Sequence, residues 1–77
     1  MKWVLLKSSV FIATRYDEKQ QLLDLEFRSG AIHRYAGFPA NLYDAFLCAD
    51  SHGQYFHQHI LGQFPDEQLR PPRRKRA

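Results

Sequence analysis

A chain of 77 residues with a single cysteine, Cys48, cannot close an internal disulfide or build a cysteine-based zinc knuckle. Nor does it contain a long apolar run. The longest stretch free of formal charge, Ser51–Pro65, holds three histidines and three glutamines, whereas a membrane-crossing helix needs about 20 mostly apolar residues. At the N-terminus, Trp3–Leu6 is cut off by Lys7, Ser8 and Ser9, too early for the apolar segment of roughly 7–15 residues in a signal peptide. The four glycines, at 30, 37, 53 and 62, stand apart, so the chain has no glycine-rich phosphate loop. These absences point to a reduced, cytoplasmic protein with no membrane contact.

What is present is enough for one small domain. Hydrophobic residues make up 44% of the chain and six Phe, four Tyr and one Trp supply its bulk, too apolar a composition for a disordered chain. A domain of this size buries only about 60% of the surface its unfolded chain exposes, so the core is small and largely aromatic. The formal charge of +3 is unevenly spread. Arg70, Arg73, Arg74, Lys75 and Arg76 fall in the last eight residues, and the rest carries six basic against eight acidic residues, a net −2. The body is slightly acidic and the tail strongly basic.

From Trp3 to Tyr35 the hydrophobic pattern has period 2, the mark of half-buried strands. Val10, Ile12 and Thr14 share one face of the first clear strand, with Phe11 and Ala13 on the other. After the polar break Tyr16–Gln20, Leu23, Leu25 and Phe27 alternate with Asp24, Glu26 and Arg28. This alternation predicts apolar side chains inward and solvated charges outward. Arg28-Ser29-Gly30 is a turn signal, and Ala31–Tyr35 returns as the next strand. Trp3–Leu6 is available as a fourth.

Pro39 then changes the period, since proline fits the first turn of a helix. Leu42, Tyr43, Phe46 and Leu47 form an apolar helical stripe that Cys48 and Ala49 extend. Ser51 followed by Gln54 reads as a capping box. Tyr55, Phe56, His59 and Ile60 give the second helix its face, and Gly62 is its stop. The expectation is an α+β domain over residues 1–69: an antiparallel three- or four-stranded meander followed by two short helices packed on one sheet face. Asp66–Leu69 carries no clear signal, and residues 70–77 read as a basic, extended tail.

The ordered set Ser8-Ser9, Tyr16-Asp17, Leu23-x-Leu25-x-Phe27, Gly30, Arg34-Tyr35, Gly37-x-Pro39, Tyr43, Ser51-x-Gly53 and His59-Ile60 resembles the KTSC domain. That family is named for its place at the C-terminus of some lysyl-tRNA synthetases, and it also occurs as stand-alone small bacterial proteins. The resemblance spans Lys7 to Leu69 and implies a small domain with a suggested role in RNA binding. It does not imply a synthetase, since these 77 residues hold no aminoacylation domain. Two positions depart from the family's pattern: His33 replaces the first aromatic of a central Tyr-x-Tyr, and Leu61 stands where a basic residue is common.

Two surfaces are candidates for nucleic acid. His33 and Tyr35, two apart on one strand, can present two rings to unpaired bases, with Arg34 reaching a phosphate around the sheet rim. The competing arrangement packs Tyr35 beneath the first helix and leaves His33 in water. The tail residues Arg70, Arg73, Arg74, Lys75 and Arg76 form an electrostatic handle for RNA or another anionic partner. No metal site or cofactor is expected. His57 and His59 face about 200° apart on a helix, and His52 with His59 lacks a carboxylate to complete a ligand set. No catalysis is expected either, because Cys48 is placed on the buried side of its helix and no nucleophile–base pair accompanies it. The second functional class is a protein-interaction module using exposed aromatics and the acidic body. A short edge strand leaves the oligomeric state open.

Overall fold

Alternation in the first half of the chain builds an antiparallel sheet, and the computed structural model describes it over residues 2–73. The strands are β1 (Val4–Leu5), β2 (Phe11–Asp17), β3 (Leu22–Phe27) and β4 (Ile32–Ala36). Helices α1 (Ala40–Cys48) and α2 (His52–His59) follow, and a last strand β5 (Asp66–Arg70) returns to pair with β4. The spatial order β1-β2-β3-β4-β5 is the chain order. The α+β architecture with a meander followed by two helices is as expected, but the sheet has five strands.

β5 lacks any hydrophobic alternation because it is an edge strand with four of its five residues exposed. It needs no buried face of its own, since its ladder to β4 holds it. Arg70, expected at the start of the free tail, is therefore the last residue of a strand. Among the tail residues, Arg74, Lys75 and Arg76 lie outside the described residues.

One sheet face is covered by the helices. Phe11, Leu23, Leu25 and Tyr35 from the strands meet Phe38, Phe46, Phe56 and Ile60 in a single buried cluster. Aromatic edges dominate it: Phe11 meets Phe46 and Phe56 at ring-centroid distances of 5.8 and 5.5 Å. Such edge-to-face pairs contribute about 0.5–1.5 kcal/mol beyond area burial, which matters in a core this small. A bulge at Ile12 corrects the alternation expected in β2. Beyond it, Thr14 lies opposite Leu25 on the helix side and Arg15 lies opposite Asp24 on the open side. α2 is capped as its sequence predicts, the Ser51 hydroxyl accepting from the Gln54 N–H at 3.1 Å. Pro39 sits just ahead of α1, in extended backbone.

Candidate nucleic-acid interface

The His33-Arg34-Tyr35 segment does not form a stacking platform. Tyr35 is 1% exposed and belongs to the core, its ring against Phe56. Burial first, then the nearby charge of Asp66 and its hydrogen bond, push the phenol well above its ordinary pKa. His33 is half-buried: its Nδ1 lies 2.8 Å from an Asp66 carboxylate oxygen and its ring meets the edge of Phe27. The helices cover this side of the sheet, so a base could reach Tyr35 only by opening the core.

Arg34 points to the open face, where it is engaged. Its Nε and Nη2 donate to the two oxygens of Asp24 at 2.8 and 3.0 Å, while Arg15 Nε donates to Asp24 from the other side at 2.7 Å. Asp24 is completely buried beneath the two guanidinium groups, which corrects the expectation that it is a solvated charge. Burial alone would raise its pKa; the hydrogen bonds from Arg34 and Arg15, with their charges, outweigh it and hold it below the ordinary value. Cross-strand register extends the row to Glu67, opposite Arg34. On the β1 side, the Arg15 guanidinium lies over the Trp3 ring at 4.3 Å. The centre of the open face is thus internally neutralised and offers little to phosphate.

Free positive charge gathers at one end of the sheet, around the β3–β4 turn. Gly30 takes φ +92° there, and a Cβ at this position would lie 2.7 Å from Arg73 Cγ. Glycine is needed both for the turn and to let the Arg73 side chain lie across it. The Arg73 N–H donates to the Ser29 carbonyl at 2.8 Å. Arg70 Nε donates to the Gly30 carbonyl at 2.7 Å while its Nη2 pairs with Glu26 at 2.8 Å. Arg28, exposed, donates from Nε to the Ser8 carbonyl. Arg28 and Arg73 therefore flank one turn, with Arg70 locked beneath them. The opposite end of the sheet carries Asp17 at the end of β2, Glu18 in the β2–β3 connection and Asp66 at the start of β5. Arg28 had no place among the residues singled out from sequence. Its proximity to Arg73, 45 positions along the chain, follows only from β5 returning alongside β4.

A cleft of about 200 Å³ adjoins this end, between the Lys7–Ser9 loop and the start of α2. Asp50 is among its lining residues, and the Ser8 hydroxyl is occupied by the N–H groups of Val10 and Phe11. Among the described residues no group of three or more His, Cys, Asp or Glu side chains could hold a metal ion. The His52 Nδ1 lies 3.0 Å from the Phe46 carbonyl, and the His59 ring lies 4.6 Å from that of Tyr55, tilted by 44°. Cys48 is exposed, not buried as expected. It follows Phe46 by two positions and so faces about 200° away from it. No helix of the described residues is long and apolar enough to cross a membrane.

A five-stranded antiparallel sheet, two helices on one face and charge separated towards its two ends define a small α+β module. Comparison with known proteins gives its family. Residues 7–64 match the KTSC domain, and the chain belongs to that family. An uncharacterized protein of Stutzerimonas stutzeri (strain A1501) is 47% identical over 58 residues, covering 75% of this chain and 82% of its own length. The lysine–tRNA ligase of Nostoc sp. (strain PCC 7120) is 44% identical over 63 residues, which is 82% of this chain but 11% of the ligase. The chain thus corresponds to about a tenth of that relative. A crystal structure of a KTSC domain protein from Yersinia pestis matches with a TM-score of 0.86 at 26% identity, covering 88% of this chain and 96% of that one.

Proposed function

We propose that this domain is a non-enzymatic RNA-binding accessory module that grips the phosphate backbone at the β3–β4 end of its sheet. The observation that carries this reading is the placement of Arg28 and Arg73 across the Gly30 turn, from which the sequence continues into Arg74, Lys75 and Arg76. The relationship to a segment of lysine–tRNA ligases, enzymes whose name specifies a tRNA, supports RNA as the polyanion. The reading assigns affinity to charge and not to stacking, because the aromatic rings of β2–β4 lie under the helices and Trp3 on the open face is covered by Arg15. It also fits a reducing compartment such as the cytoplasm, since Cys48 has no second cysteine in the chain to pair with.

Binding of this kind is weakly selective for sequence and steep in salt. If Arg28, Arg73, Arg74, Lys75 and Arg76 each neutralise one phosphate of a single strand, log K falls with log[salt] at a slope near −3.5, about −0.7 per contact. Fluorescence anisotropy of labelled single-stranded RNA and of a transfer RNA, measured over a salt series, reads the slope directly. Replacing Arg28 and Arg73 by Gln reduces it by about 1.4. Absence of binding at about 100 mM salt to either RNA rejects the function. A slope unchanged by the double substitution moves the contact away from the turn.

A further inference from the structure

The N-terminal edge of the sheet has features that RNA binding does not use. β1 pairs with β2 through Val4 opposite Thr14 and Leu5 opposite Ala13, and the Leu6 N–H donates to the Ile12 carbonyl at 3.0 Å. Bonded and non-bonded pairs alternate along an antiparallel ladder. With Leu6–Ile12 a bonded pair, the N–H and C=O of Leu5 point away from β2 and off the edge. The strand is held extended at both sides of Leu5: Trp3 lies beneath Arg15, and Leu6 packs against the core. Leu5 itself is 80% exposed and its neighbour Val4 43%. A fixed strand that offers a free backbone edge and two solvated aliphatic side chains is the geometry that accepts an added strand.

Charge selects what that strand is. No Asp or Glu precedes Asp17, and the exposed Lys2 and Lys7 bracket the edge, about 16 Å apart at 3.3 Å per residue. A second copy of β1 would line the seam with four lysines. A strand carrying carboxylates at both ends and aliphatic residues between them would instead pair its charges with the lysines and its apolar side chains with Val4 and Leu5. RNA has no backbone of regularly spaced N–H and C=O groups with which to extend the ladder. We infer that β1 is a docking edge for an extended segment of a partner protein, about six residues long, apolar in the middle and acidic at both ends, which joins the sheet as a sixth strand beside Leu5. The inference stands apart from the RNA reading, since it uses neither Arg28 nor Arg73.

The test is an amide-resolved NMR titration of the full chain with a terminally blocked Glu-Val-Thr-Val-Thr-Glu peptide and with its Lys-flanked counterpart, up to about 1 mM. The acidic peptide is expected to shift the amides of Trp3–Lys7 and to slow hydrogen exchange at the Leu5 N–H. The Lys-flanked peptide is expected to bind at least about tenfold more weakly. Leu5→Glu, at a solvated position, is expected to keep the spectrum of the folded domain and, by removing the apolar contact and adding a like charge, to weaken the acidic peptide at least about tenfold. The inference is overturned by no shift at the highest peptide concentration, by equal binding of the two peptides, or by shifts centred on Arg28–Gly30 and Arg73. Sedimentation showing that the free protein is a dimer that Leu5→Glu dissociates assigns the edge to a second copy and overturns the partner named here.

Discussion

Arg34 holds Asp24 in a two-point fork, Nε and Nη2 each donating to a different carboxylate oxygen, although the two residues lie on neighbouring strands ten positions apart. Arg15 closes the other side. Because the carboxylate is wholly buried while each arginine side chain keeps about a quarter of its surface in water, the acid depends on the bases more than the bases depend on it.

Asp24→Asn keeps the shape of the side chain and removes its charge, leaving two arginines facing an amide. Removing one partner of a buried ion pair costs about 3–5 kcal/mol, and the partial exposure of both arginines reduces this to about 2–3 kcal/mol. Urea denaturation at neutral pH should show a loss of that size. The pH dependence has a definite sign. Asp24 has a folded-state pKa below its ordinary 3.8, so its stabilisation is present above about pH 4 and is lost as pH falls through the lower folded value. The Asn variant should therefore be less stable at neutral pH and show a flatter acid limb.

Tyr35 and His33 separate a core role from a binding role. Tyr35→Ala removes a buried ring from the centre of the aromatic cluster and should cost about 3–5 kcal/mol, read as loss of cooperative thermal unfolding in a domain this small. Tyr35→Phe retains the ring and should leave RNA affinity unchanged. His33→Ala loses a partly exposed contact to Asp66 and should also leave RNA affinity unchanged. A drop in affinity with a folded His33→Ala variant would return the binding surface to β4.

The sequence carried the parts of this fold that are written in local periodicity. Leu23, Leu25 and Phe27 announced β3, and Ser51 with Gln54 announced the start of α2. Asp24 was misleading for a physical reason: a charge alternating with leucines looks solvated, and only cross-strand register brings Arg15 and Arg34 over it. β5 was silent because an exposed edge strand needs no apolar face. Its absence from the periodicity hid Arg70 among the tail charges and left the Arg28–Arg73 pairing invisible. Cys48 followed an apolar stripe in sequence while pointing off it in space.

Gly30 links the turn to the basic end of the sheet. Gly30→Ala meets two penalties at once, a positive φ and a Cβ placed 2.7 Å from Arg73 Cγ. The backbone term alone is about 1 kcal/mol, and the Arg73 side chain must swing away from the turn. We expect a lower melting temperature together with a smaller salt slope for RNA binding, approaching that of Arg73→Gln. A destabilised variant that keeps the full slope would show that Arg73 contacts phosphate independently of its place over Gly30.

The length of chain needed for the fold can be read from β5. A chain ending at Leu69 loses the Arg70 guanidinium, and with it the bond to the Gly30 carbonyl and the pair with Glu26. A chain ending at Pro72 keeps both and removes Arg73 and the basic residues after it. For a partly exposed pair plus one charged hydrogen bond, the difference between these truncations is about 1–2 kcal/mol. In a domain of this size that corresponds to roughly 4–8 °C in melting temperature per kcal/mol. Thermal unfolding of the two truncations beside the full chain should place the form ending at Pro72 close to the full chain and the form ending at Leu69 well below it. Equal melting temperatures would mean that neither the side-chain bonds of Arg70 nor its pairing with Ile32 contributes anything net.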